Sequence, residues 1–448
     1  MCGDITGELA GFCVSVATQR MPGDVIVKAK LCLADFLSAA LVSSEEARSA
    51  VKALGVSGGD EGAAQVLGAA TRATAPTAAY LTSVSAAATA RTDTHVESSS
   101  HPGMVLFPAL LALAEQEDVP AGRLLSAVVV GYEVMCRLGS ALITPGVAAT
   151  FRPTGLTGPV AAAAACAHLL ALDRHGTQGA LGMAASAACG LNEWARAGTQ
   201  EHVLHSAMAA RAGVEAALLA RHKLTAARGA LEGEAGLLAG FGARHRSSRL
   251  IEGLGSGYAI RDIVHKPAPA CIYVQGPCQL AEEIVRRHHP DWKRIEAVGI
   301  RLPEQAVRYP GCNNSGPVTD VVAAQLSVQF SVASVLVTGG IFDQNWKNLD
   351  DLGTKQLAAR SRLTVDPHLT KEFPQRNGSH VEVLLDNGST LVAEQDAFPS
   401  MTAVQIVRRF HLAVDPVYGR AGSQAILDCI AGLDRIPLSR LLETLQSG

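Results

Sequence analysis

Aromatic residues supply only 4% of this 448-residue sequence and charged residues 18%, against 48% hydrophobic. Ala, Gly and Leu carry most of that apolar mass, so the core cannot rest on large rings. It calls instead for closely packed helices with small side chains at their contacts. Charge of either sign is also missing in excess. A net charge of -3 leaves no electrostatic footprint for nucleic acid, and with no basic run a membrane-surface segment is excluded as well. A small-molecule partner is the default. The N-terminus has no positive segment leading into an unbroken apolar core, so no signal peptide is read and the cytoplasm is the expected compartment. None of the ten cysteines forms a CxxC pair. Without such spacing an iron–sulfur site at Cys271, Cys278 and Cys312 is disfavoured, and buried reduced thiols are expected.

What is present divides into two parts. A chain this long exceeds one core. Helical patterns occupy residues 5–42, with a break near Met21-Pro22-Gly23-Asp24 and Asp24 as N-cap, and then 75–91, 104–117, 120–143, 156–171, 176–192 and 204–222. A Gly-rich loop falls at Val56 to Gly62. Pro120 and Pro159 are placed just inside helix starts, where a missing N–H costs nothing. No strand is read before residue 250. Beyond it, Ile295 to Leu302 alternates as a strand, and Val381 to Val392 reads as a hairpin turning at Asn387-Gly388. Helices are expected at 276–288, 318–339 and 351–361, and again after Thr402. The fold class is therefore mainly α with an inserted α+β domain. Residues 1–255 form a large helical domain to which 402–448 return, and 256–401 form a smaller α+β lid.

Chemistry concentrates in ATARTDTHVESSSHPGMVLFP, Ala88 to Pro108, where Arg91, Asp93, His95, Glu97 and His101 fall within eleven residues between two apolar helices. Loops of titratable groups held by rigid helices commonly line pockets. Asp93, His95, Glu97 and His101 are possible metal ligands by type, but their spacing matches no HExxH-type motif, and the metal-free reading is preferred. His101 precedes Pro102-Gly103 at a helix entrance, where the dipole favours an anion. Arg152 and Thr154, in FRPTG, offer a carboxylate a planar fork and a hydroxyl. His202 and His205 enter the next long helix three residues apart. Lys266 projects from a segment stiffened by Pro267 and Pro269, which ends at Cys271. Tyr309 opens a Gly/Pro-rich loop that suits a turn or a pocket wall.

The order of these segments carries more information than any one of them. THVESSSHPG, FRPTGLTG, ALGMAASAACGL, GTQEHVLHSAMAARAG, LEGEAGLLAGFG, KPAPAC and QLSVQFSVASVLVTGG follow one another as they do in the MmgE/PrpD family, which the chain resembles from about residue 5 to its end. The resemblance implies a helical domain built from both chain ends, an α+β lid, a homodimer, no iron–sulfur cluster and no obligatory organic cofactor, and a site between the domains. The family's activities are dehydration, decarboxylation and epimerisation of small carboxylic acids. Residue by residue, it carries over to Asp93, His101, His205, Lys266 and Cys271. Arg91, His95, Arg152, His202 and Gln275 depart from the family pattern. Arginine in place of a histidine removes a possible acid or base and leaves a permanent anion clamp.

These readings converge on a cavity for a di- or tricarboxylate. His101 is the first choice for proton transfer, with Lys266 or His202 as its partner and Asp93 to orient a histidine or hold Arg91. Arg91, His95, Arg152, Thr154, His205, Cys271 and Tyr309 are the expected substrate contacts. A cofactor-independent lyase is the leading reading. An isomerase or epimerase using the same pocket, and a non-catalytic binding or structural member, stand beside it.

Overall fold

The computed structural model describes residues 4–16, 21–42, 45–54, 62–69, 71–117, 119 and 121–446. Helices dominate, and two separate apolar cores organise them. The larger core gathers Ala75–Ala88, Gly103–Glu117, Ala121–Leu142, Pro153–Leu169 and His202–Arg221. Their small side chains let backbones approach closely: a Cβ on Gly213 would meet that of Ala162 at 2.2 Å. The C-terminal helix Ala403–Gly432 packs Ile406, Phe410, Val414 and Ile430 into this same core. The second core lies between the helices Ile272–His288 and Val328–Thr338 and a four-stranded sheet.

In that sheet Ile295–Leu302 runs parallel to Ser361–Val365 and antiparallel to Ser379–Leu385, which pairs in turn with Thr390–Gln395. The hairpin turns at Asn387-Gly388, where Gly388 takes φ +80°. The fold is thus mainly helical with a smaller α+β part.

Several local readings are corrected. Short strands do precede residue 250: Ala64–Val66 pairs with Thr71–Ala73, and Thr94–His95 pairs with Ile263–Val264. Two or three residues are too few for a visible alternation, so tertiary pairing decides them. The helix after Pro22 starts at Gly23, which puts Asp24 in its first turn rather than at the cap. The expected 318–339 helix is two, Val321–Leu326 and Val328–Thr338, because Ser327 turns extended and its hydroxyl caps the amide of Phe330. Ser361–Val365 is a strand where only a helix end was read. Pro159 lies inside the Pro153–Leu169 helix, which Pro153 starts. The carbonyl of Gly155, freed by the missing Pro159 N–H, accepts from the Cys189 amide at 3.3 Å. The Val56–Gly62 loop, except Gly62, and both Asp118 and Pro120 at the next helix entry lie outside the described residues.

Beneath the junction of the two cores, Asp35 is fully buried on the Gly23–Ala40 helix. Its carboxylate pairs with Arg409 and accepts from His265 Nδ1 at 2.9 Å. Arg409 also donates to the Lys266 carbonyl at 2.6 Å. Arg409→Met leaves a buried carboxylate without its main counter-charge. The expected cost is about 3–5 kcal/mol, read as a lower urea midpoint with an unchanged m-value.

Candidate active site

The loop before the Gly103–Glu117 helix is folded on itself, with the His95 amide donating to Ser100 O at 2.9 Å. The ladder of Thr94 with Val264 then sets this loop beside the segment that carries Lys266. Asp93 turns inward. Its carboxylate accepts from the Gly103 amide at 2.8 Å and from the Tyr132 hydroxyl, and a side chain at Gly103 would collide with it. Asp93 therefore anchors the helix entrance and does not hold Arg91, which pairs with Asp343.

The Asp93 main-chain carbonyl does the orienting, 3.0 Å from His101 Nδ1, with Thr94 Oγ1 at 2.9 Å from the same nitrogen. A carbonyl only accepts, so Nδ1 carries the proton and Nε2 keeps its lone pair. The His101 amide donates to Thr154 Oγ1 at 3.1 Å, which is the use found for Thr154.

His101 lines a small cavity with Arg152, Trp194, His202, Lys266, Cys271 and Tyr309. Lys266 Nζ donates to Ala90 O at 2.7 Å and Ala270 O at 3.1 Å, which leaves one N–H of the ammonium uncommitted. Burial, and then the charge of Arg152, bring its pKa down to about 8 against the pull of Cys271 and Asp93. Arg152 is buried at the N-cap of Pro153–Leu169, its guanidinium 4.8 Å from the centre of the Trp194 ring. Among the described residues no carboxylate pairs with it. His202 stacks on the same indole at 4.5 Å. Burial first, then Arg152, lower His202 to about 3, and the same causes lower His205 to about 4. Burial, reinforced by Lys266 and Arg152, holds His101 well below the usual imidazole range. The cavity is cationic, with neutral imidazoles.

Sequence reasoning missed the Trp194 platform. Trp194 donates to Asn192 Oδ1 at 2.9 Å, and Asn192 donates to the Tyr309 hydroxyl at 3.4 Å, so one amide spaces two cavity walls. A tryptophan is rare here, one of three, and that rarity was the available signal. Gln275 has a structural use: its amide bonds Ala268, Ala270 and Cys271 main-chain groups and staples the KPAPAC turn.

Four expected contacts lie off the cavity: Thr154, held by the His101 amide, and three others. Arg91 pairs with Asp343. His95 Nδ1 is bonded to Ser98 Oγ at 2.8 Å and faces a different cleft with Glu97, Glu133 and Arg137. His205 sits behind the wall, its ring against Gly190. Asp93, His95, Glu97 and His101 therefore diverge, and no group of three metal-ligating side chains converges among the described residues.

Comparison with known proteins decides the ancestry of this arrangement. The MmgE/PrpD N-terminal domain model matches residues 7–249, and the MmgE/PrpD C-terminal domain model matches residues 268–435. The chain belongs to the MmgE/PrpD family. Among MmgE/PrpD relatives, it is 26% identical over 470 residues to a cis-aconitate decarboxylase of Aspergillus terreus, covering 98% of this chain and 96% of that one. The cis-aconitate decarboxylase-like protein oryM of Aspergillus oryzae is 34% identical over 228 residues, about half of each chain (49% and 47%). Human cis-aconitate decarboxylase is 28% identical over 320 residues, 67% of this chain and 63% of its own.

The lowered histidines fix a pH dependence. Their folded pKa values lie below the unfolded value of 6.5, at about 3 for His202 and about 4 for His205, so on acidification the unfolded chain binds protons first. Their contribution to stability is complete above pH 6.5 and declines as pH falls towards 3. Ring-nitrogen NMR at pH 6 is expected to show both imidazoles neutral; imidazolium signals for either contradict the burial argument.

Proposed function

We propose that this chain is a cofactor-independent lyase that removes carbon dioxide or water from a small di- or tricarboxylic acid. One observation carries the reading: Arg152 is a buried guanidinium with no carboxylate partner among the described residues, in the same cavity as a neutral His101 of fixed tautomer. A carboxylate ligand supplies the missing charge and accepts from the planar fork. The uncommitted N–H of Lys266 meets a second oxygen.

Binding then changes the proton affinity of His101. Burial remains, but the ligand neutralises Lys266 and Arg152, the charges that reinforce it, so His101 is more basic with substrate than without. Nε2 can then take a proton from, or return one to, the carbon next to a carboxylate. Loss of carbon dioxide leaves an electron pair on that carbon; loss of water follows removal of a proton from it. Arg152 and Lys266 offset the negative charge of either state in a site with little water. His202, lowered to about 3, serves as a neutral wall and hydrogen-bond partner rather than as an acid.

The named relatives support a lyase and favour carbon dioxide loss; they lend nothing to the isomerase reading. Incubation with cis-aconitate, a hydroxytricarboxylate and simple dicarboxylates, followed by proton NMR in deuterated water, separates carbon dioxide loss, water loss and bare exchange. Exchange at carbon with no group lost would contradict the proposal. His101→Gln is expected to lower kcat by about 10²–10⁴-fold with little change in KM. Arg152→Gln is expected to act on binding first, weakening it by about 1.5–3 kcal/mol, or roughly 10–150-fold in KM. Equal activity of either variant with wild type removes that residue from the mechanism.

A further inference from the structure

Cys271 lines the cavity, occupies the N-cap position of the Ile272–His288 helix, and holds its Sγ 3.9 Å from that of Cys312. Both thiols are free. Cys312 is fully buried behind it, so the two differ in access: one sulfur meets whatever enters the cavity, the other meets only its neighbour. The mechanism above uses neither. We propose that this pair is an oxidative modification site for small hydroperoxides, with Cys271 attacked from the cavity and Cys312 resolving it into a disulfide.

The surroundings of Cys271 are those of a reactive thiol. Helix N-termini and nearby cations stabilise thiolates, and here Lys266 and Arg152 share the cavity. With Cys271 as thiolate the Cys312 S–H is the donor of the pair, and this contact is the largest cause that brings the Cys271 pKa below the usual thiol value; the Tyr273 amide and the two cations add to it against burial. Burial pushes Cys13, Cys136, Cys166 and Cys278 the other way.

The chemistry balances without a further reagent. The Cys271 thiolate attacks the O–O bond of the hydroperoxide, an S–O bond forms as the O–O bond breaks, and the leaving alkoxide or hydroxide takes up the proton that Cys271 gave up on ionising and departs as an alcohol or water. Cys271 is now a neutral sulfenic acid, so the charge that held the proton on Cys312 is gone. The Cys312 sulfur attacks Cys271, the S–S bond forms, the S–O bond breaks, and the hydroxide leaves as water with the Cys312 proton. Both thiols are oxidised and one peroxide is reduced. The sulfurs close from 3.9 Å to about 2 Å, which draws Cys271 off the cavity wall and removes a negative neighbour of Lys266.

The test is a peptide map, which does not depend on the identity of the substrate. The full-length protein is treated with stoichiometric hydrogen peroxide, blocked with N-ethylmaleimide and digested. A disulfide-linked peptide joining Cys271 to Cys312, lost after dithiothreitol, is expected. In C312S, Cys271 is expected to accumulate as sulfenic and sulfinic acid, and dithiothreitol no longer restores a fully blockable thiol. C312A, with thermal melts on both variants, separates this from a loss of fold. If the variants do not fold, the wild-type map alone decides. Full maleimide labelling of both cysteines after peroxide, oxidation confined to exposed Cys189, or equal recovery of wild type and C312S overturns the proposal.

Discussion

A single buried negative charge organises the junction between the two cores. Asp35 lies on a helix of the first core, and its partners come from the C-terminal helix and from the segment entering the second. A carboxylate out of water must be paired on all sides, so Arg409 and His265 are bound to stay where they are. Arg409 passes that constraint on through the Lys266 carbonyl, and the ladder of Ile263–Val264 with Thr94–His95 passes it to the loop of His101. Three stretches distant in sequence are thus registered to one another before any ligand arrives.

The cavity has the opposite arrangement. Its cations are left without acidic partners among the described residues, and its histidines are buried neutral. Such a site is unfavourable to assemble and is relieved by an anion, so binding and electrostatic relief are one event. Trp194 makes this arrangement tolerable, because a ring face attracts the guanidinium without neutralising it.

Much of this was legible in the sequence, and what was not has physical causes. Long apolar helices and the 295–302 strand and hairpin announce themselves by periodicity. So did the grouping of His101, Arg152, His202, Lys266, Cys271 and Tyr309, through motif order. Side-chain direction was illegible. Arg91, Asp93 and His95 alternate along the chain and would share one face of a regular strand, yet only Thr94–His95 is strand, and Arg91 and His95 end on an ion pair and in another cleft. The role of Asp93 was legible only in part, because the orienting group is its main-chain carbonyl, which any residue possesses. Trp194 sits on a five-residue helix too short to show a pattern.

Pro159 gives the wall behind Arg152 an unexpected origin. The carbonyl it frees at Gly155 holds Cys189, Arg152 and Gly190 bond main chain to main chain, and the Asn192 amide reaches Thr150 O. The stretch that presents Trp194 to Arg152 is therefore docked largely through backbone groups, as an edge strand docks on a sheet, with the Asn192 side chain adding bonds to Ala148 O and Phe151 O. Along that stretch the Asn192 side chain fixes the platform as well, and a residue with an amide hydrogen at 159 competes for the docking point itself. In evolutionary terms, an absent hydrogen is as much a part of this cavity wall as the side chains that line it.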